Sequence, residues 1–176
     1  MGPSSSFKMN LSMNFELCPN QDTLTVELRS SVSPYNLIES RKGLGGQGVP
    51  ELINFYSISN GTPYYIAVKH RNSIATWSSA PVSFSGNAMN YDFTSAASQA
   101  YGNNMKSSNS LWSFYQGDVD QNDFINLQDL VSVYNDASAF VMGNIITDIN
   151  CDGFTDLTDI IAVYGNSSNF IQVVRP

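Results

Sequence analysis

Charge is what this 176-residue chain has least of: 13% of its residues are Asp, Glu, Lys or Arg. Eight Lys and Arg stand against 15 Asp and Glu, giving a net charge of -7 and a sequence pI of about 4.4. A surface so poor in cations does not neutralise phosphates or an anionic membrane, so nucleic acid is excluded as a partner. No apolar run approaches the roughly 20 residues needed to cross a bilayer, which excludes membrane insertion of this stretch. The first six residues, MGPSSS, lack the apolar stretch of a signal peptide and read as a vector-derived leader on an excised fragment. Histidine occurs once, at His70, with no GxSxG or HExxH motif beside it, so a structural role is expected there rather than a catalytic one. The two cysteines, Cys18 and Cys151, fit no metal-binding spacing. They are either unrelated thiols or one long-range disulfide.

What replaces charge is Ser and Asn, together about a quarter of the chain. Both favour turns and caps over helix interiors. From Phe7 to Leu17 apolar and polar residues alternate with period two, which predicts a half-buried strand. A second alternating run, Leu24 to Arg29, follows the turn-forming CPNQD and is expected to pair back on the first as a hairpin. Further β-rich runs at 35–40, 52–57, 64–70, 81–84 and 89–93, separated by turn residues, predict an antiparallel β-sandwich over residues 7–113, Ig-like or prealbumin-like. Residues 43–48, GLGGQG, precede a proline and a strand and lack a GK[ST], so they predict a flexible hairpin connection rather than a phosphate loop. Trp77, Trp112, Tyr64 and Tyr65 are the candidate platform for stacking on a sugar, with Trp77 the best placed. Trp112 is expected to pack between the two halves of the chain, and core packing is the competing role for all of these rings.

The pattern changes at Asp118. Residues 118–129, DVDQNDFINLQD, place Asp118, Asp120, Asn122, Asn126 and Asp129 at loop positions 1, 3, 5, 9 and 12. Thirty residues on, DINCDGFTDLTD over 148–159 puts Asp148, Asn150, Asp152, Asp156 and Asp159 in the same places. A hard cation such as Ca2+ takes six to eight oxygens, and a short loop wraps one when alternate side chains and a carbonyl turn inward. Phe124 and Phe154, at position 7, would supply those carbonyls. Two calcium ions are therefore expected, with loop 2 the tighter site because it has four positional carboxylates and Gly153 at the sharp turn, against three and Asp123 in loop 1. Shared apolar residues after each loop reveal a duplication, and Leu127, Leu130, Val131 and Tyr134, then Leu157, Ile160, Ile161 and Tyr164, follow i, i+3, i+4, i+7 spacing. Each loop should feed one amphipathic helix, the two stripes packing on each other. Because the clustered carboxylates are committed to these loops, a paired-acid hydrolase is not expected.

Paired loops of the form D-x-[ND]-x-[ND]-G-x-x-[DN]-x-x-D, with Asp123 in place of the glycine in the first copy, each followed by a helix with none before it, resemble the type I dockerin repeat over residues 117 to about 171. That resemblance implies a pair of F-hands around two calcium ions, occupying 114–176, in a larger secreted bacterial protein at or beyond the cell surface. With the sandwich before the helix pair, an α+β fold is expected overall, and a non-catalytic, calcium-dependent anchoring role toward a cohesin-like partner or a second copy. The segments YYIAVKHRNSIATWS and YDFTSAASQAYGNNM and the closing VVRP resemble a sandwich-plus-dockerin tail of secreted bacterial proteins. The positions by which dockerins grip cohesins correspond here to Leu127, Gln128, Tyr134, Asn135 and Ala139, and to Leu157, Thr158, Tyr164, Gly165 and Asn169. The usual Ser/Thr pair is missing from the first copy and half present in the second. Two other readings are a carbohydrate-binding module centred on Trp77 and braced by the calcium repeat, with a polysaccharide as ligand, and a self-assembling extracellular subunit.

Overall fold

The computed structural model describes residues 6–176; the expected leader, apart from Ser6, lies outside the described residues. The described residues form two main β-sheets, a two-stranded ribbon and a pair of α-helices. In the smaller sheet β1 (Phe7–Ser12) lies between β4 (Glu51–Phe55) and β8 (Ala88–Asp92). In the larger, the order is β3 (Leu37–Gly45), β2 (Asp22–Ser30), β5 (Pro63–His70) and β6 (Ser73–Trp77), with β7 (Val82–Ser83) also pairing with β5. A short ribbon of β9 (Lys106–Ser108) and β10 (Leu111–Ser113) closes this half.

The period-two pattern is realised as burial: Met9, Leu11, Met13 and Phe15 all point into the core, as do Leu24, Val26 and Leu28. Strand pairing ends earlier than the pattern, at Ser12, and Phe15 forms a lone parallel bridge to Phe114. The expected hairpin between these runs is not formed. β1 pairs with β4 and β8, whereas β2 pairs with β3 and β5. Both runs carry a strong apolar face, and placing them in opposite sheets lets those faces meet across one core. Nor is the sandwich wholly antiparallel, because β1 and β8 run parallel.

Residues 43–45 are not a flexible connection; they end β3. A Cβ at Gly45 would stand 2.3 Å from Leu24 Cδ2, so any other residue there displaces a core side chain. The turn proper follows at Gly46 to Gly48, with φ of 126° and 69° at the two glycines. Trp77 is 5% exposed, wedged edge-on against Tyr35 and Tyr65 with the Arg29 guanidinium over its ring. It is a packing residue, which removes the sugar platform. Trp112 packs on the sandwich core rather than between the halves, because β10 folds back onto β9.

The second half contains α1 (Leu127–Ser138) and α2 (Leu157–Ser168). A separate core forms there from Val119, Ile125, Val133, Ile149 and Val163, completed by Ile74 from β6. The helices meet through Val133 and Val163, both fully buried. Of the expected stripes only Leu130 and Ile160 pack on this core; Leu127, Val131 and Tyr134 are exposed, and so are Leu157, Ile161 and Tyr164. Burial of Asp129 and Asp159 fixes this rotation, because each helix must turn its first-turn carboxylate toward its loop, and that carries Leu130, Val133, Ile160 and Val163 inward.

Candidate metal centre

Each loop is organised around its own carboxylates before any ion is considered. Asp118 Oδ1 and Oδ2 accept N–H groups from Asn122 and Asp123 at 3.0 and 3.2 Å; Asp148 accepts from Asp152 and Gly153 at 3.1 Å each. Asp129 Oδ1 accepts from Val119 at 2.8 Å and Oδ2 from Asn126 at 2.9 Å, matched by Asp159 with Ile149 at 2.7 Å and Asp156 at 2.9 Å. The duplication read in the sequence is thus repeated bond for bond. The shortened side chain at position 12 serves as the third residue of a capping box in both helices.

Position 9 has a job the spacing did not reveal. Asn126 and Asp156 are the helix N-caps, their side-chain oxygens accepting from Gln128 and Thr158 at 2.7 Å. One oxygen of Asp156 is therefore occupied, which weakens the count of four free carboxylates in loop 2. The S/T/D/N-x-x-D signature at 126–129 and 156–159 was visible in the sequence and would have found these caps.

In loop 1, oxygens of Asp118, Asp120 and Asp129 lie within 4.8 Å of one another. Burial, with the neighbouring Asp129 and Asp120 carboxylates adding repulsion, pushes the Asp118 carboxyl up to about 7. Burial likewise raises Asp129, Asp148 and Asp159. Converging oxygen donors that resist carrying their charge fit a hard divalent cation, whose own charge reverses that balance. In loop 2 the third-position residue is Asn150, whose amide donates to Asp152 at 2.9 Å; in loop 1 the amide is Asn122, donating to Asp120 at 2.9 Å. The backbone bends left-handed at the sixth position of both loops, with φ of 75° at Asp123 and 88° at Gly153. Phe124 and Phe154 hold position 7 with half-exposed rings.

Each loop is braced by the chain that follows the opposite loop's helix. After α1, Val141 accepts from Thr155 at 3.1 Å and Gly143 donates to Gly153 at 2.7 Å. After α2, Ile171 accepts from Ile125 at 2.8 Å and Val173 donates to Asp123 at 2.8 Å, while Arg175 pairs with the Asp123 carboxylate.

The helix-pair half is fastened to the sandwich by groups that sequence reasoning missed. Gln116, fully buried, accepts from Leu17 at 2.8 Å and Cys18 at 3.2 Å and donates to Asn72 at 3.1 Å and the Ile149 carbonyl at 2.9 Å. Asn72 donates to the Ile146 and Asp148 carbonyls at 3.2 Å each. Nothing in the local pattern marks a Gln or Asn as a joint. Cys18 and Cys151 form a disulfide across 133 positions, which resolves the two alternatives left by the sequence.

His70 is buried, with Nδ1 3.0 Å from Ser73 Oγ, Nε2 3.1 Å from Asp22 Oδ2, and the Phe15 ring stacked 4.1 Å away. Burial lowers its pKa, so the ring is neutral and donates to an Asp22 carboxylate that this bond and Arg71 hold far below the usual range. Ser73 is buried too, which leaves this serine, histidine and aspartate as a structural relay. The other singled-out residues, Gln128, Tyr134, Asn135, Thr158, Tyr164 and Asn169, all lie exposed on or just beyond the two helices.

No protein-family model matches the chain, and no curated protein matches it. Among solved structures, it is similar to a chain of a type II cohesin–X–dockerin complex from Acetivibrio cellulolyticus, an N-terminal interface mutant, with 17% identity and a TM-score of 0.48 over 94% of this chain and 97% of that one. At that similarity the residues of the chain itself carry the functional argument.

Proposed function

We propose that this chain is a non-catalytic, calcium-dependent protein-interaction module with one calcium ion in each loop. The observation that carries the reading is the convergence of Asp118, Asp120 and Asp129, together with the matching hydrogen-bond frame around Asp148, Asp152 and Asp159. Asn122 and Asn150 would complete the side-chain sets, with the Phe124 and Phe154 carbonyls. Calcium would supply charge neutralisation that the buried carboxylates lack from any cationic side chain within the loops.

The surface for a protein partner, cohesin-like or a second copy, is the outward face of the helices. Leu127, Val131 and Tyr134 are repeated there as Leu157, Ile161 and Tyr164. Such apolar residues on helices whose rotation is fixed by the loops would be presented correctly only with the loops in order. The disulfide favours an oxidising, extracellular setting. The sealed environment of His70 favours a non-catalytic role.

A calorimetric calcium titration of chelator-stripped protein, with thermal unfolding in parallel, tests the proposal. Two binding steps and a raised midpoint are expected, each site contributing about 2.7 kcal/mol at a hundredfold excess over its Kd. No binding would overturn it.

A further inference from the structure

Cys151 occupies the fourth position of loop 2, between the candidate ligands Asn150 and Asp152. Its backbone is left-handed, with φ of 61°, and the matching Gln121 of loop 1 has φ of 56°, so the bend belongs to the loop and not to the cross-link. What differs is the fastening. Gln121 is held by its own amide, which donates to the Asp118 carbonyl at 2.6 Å. Cys151 is bonded covalently to Cys18, a buried residue whose N–H donates to Gln116, and Gln116 in turn holds the Ile149 carbonyl. The anchor and the loop therefore share one rigid frame.

Two further observations bear on the same bond. Cys18 and Cys151 line a surface cavity together with Asp148, Asp152 and Gly153, so a reductant that reaches the sulfurs also reaches the loop. The Arg71 guanidinium lies 3.4 Å from Cys151 Sγ, where it would stabilise a departing thiolate.

We infer that the Cys18–Cys151 disulfide is a redox control on the second calcium site, holding residues 150–152 in the ligating arc when oxidised and lowering calcium affinity at loop 2 alone when reduced. The inference rests on the paired-calcium-loop reading. A dithiol such as dithiothreitol breaks the bond: its thiolate attacks one sulfur, the other leaves as thiolate, and the second thiol resolves the mixed disulfide. Two electrons and two protons pass to the cysteines, and the reductant closes to its cyclic disulfide. Release then leaves the left-handed Cys151, between Asn150 and Asp152, without the fastening that the Gln121 amide gives the same position of loop 1, and preorganisation is lost. Coupling is reciprocal, so calcium must make the disulfide harder to reduce by the same factor.

The test uses calcium calorimetry on chelator-stripped Asp118→Ala protein, which isolates loop 2, and Asp148→Ala protein, which isolates loop 1, each oxidised and after dithiothreitol. Reduction is expected to weaken the loop 2 step about fivefold or more and leave the loop 1 step unchanged. A Cys18→Ala/Cys151→Ala variant, with the sandwich checked by near-ultraviolet circular dichroism, should reproduce the reduced behaviour. In the unaltered protein, saturating calcium should shift the reduction equilibrium by the same factor, a tenfold coupling corresponding to about 30 mV. An unchanged loop 2 affinity, or equal weakening of both loops, would overturn the inference and leave the paired sites standing. No calcium step in the oxidised, unaltered protein would remove the reading beneath it.

Discussion

Asn166, on the inward face of α2, donates its amide to Glu16 at 2.8 Å across 150 positions of sequence. The same amide reaches the Gln116 carbonyl at 2.8 Å, and Glu16 also pairs with Lys106, so one helix side chain ties the helix pair to the sandwich. Asn166→Ala would strip a buried carboxylate and a carbonyl of a donor. A loss of about 2–3 kcal/mol is expected in urea denaturation at fixed calcium, close to what a hydrogen bond to a charged group contributes.

The rotation of the helices makes a contrast between neighbouring apolar residues. Val133→Ala or Val163→Ala should cost about 2–3 kcal/mol by opening a cavity between α1 and α2. Leu127→Lys and Leu157→Lys, on the exposed side, should change stability by no more than about 0.5 kcal/mol. Thermal midpoints of the four variants check this, and a large loss at Leu127 would show that the stripe is buried after all.

Gly153 has open space where a Cβ would go, so the cost of Gly153→Ala comes from its φ of 88° alone. About 1–2 kcal/mol is expected. Gly45→Ala has the opposite cause, a collision with Leu24, and should disturb β2 and β3 as seen by amide exchange.

His70 gives the sandwich a pH dependence. Its folded pKa lies below the unfolded value of about 6.5, so the unfolded chain binds the extra proton and stability falls as pH drops through 6.5 toward the folded value. Comparing the unaltered protein with His70→Gln between pH 5 and 8 isolates this contribution. The stability difference between the two should narrow as pH falls, and a gap that widens toward acid would contradict a neutral, buried ring.

Composition and spacing were enough for the frame of the two loops, because its hydrogen bonds lie within one continuous stretch and the duplication repeats them. The α+β order was legible for the same reason: period two gives way to period 3.6 at a visible point. Strand partners were not, since β1 and β2 have the same apolar parity whether they lie side by side or face to face. Helix rotation was hidden because Asp129 and Asp159 read as polar, hence outward, whereas their loops draw them in. The joints at Asn72, Gln116 and Asn166 are single polar residues that bond across more than thirty positions, and no local pattern encodes such a contact.

The crossed braces determine how the module would bear tension. Residues 171–175 lie along loop 1, so a pull on the end of the chain would first peel Val173 and Ile171 from Asp123 and Ile125 before any helix yields. Loop 2, clasped by 141–143 and sewn to Cys18, would be shielded from that load. The two repeats, alike in chemistry, are thereby set in series as a weak link and a strong one.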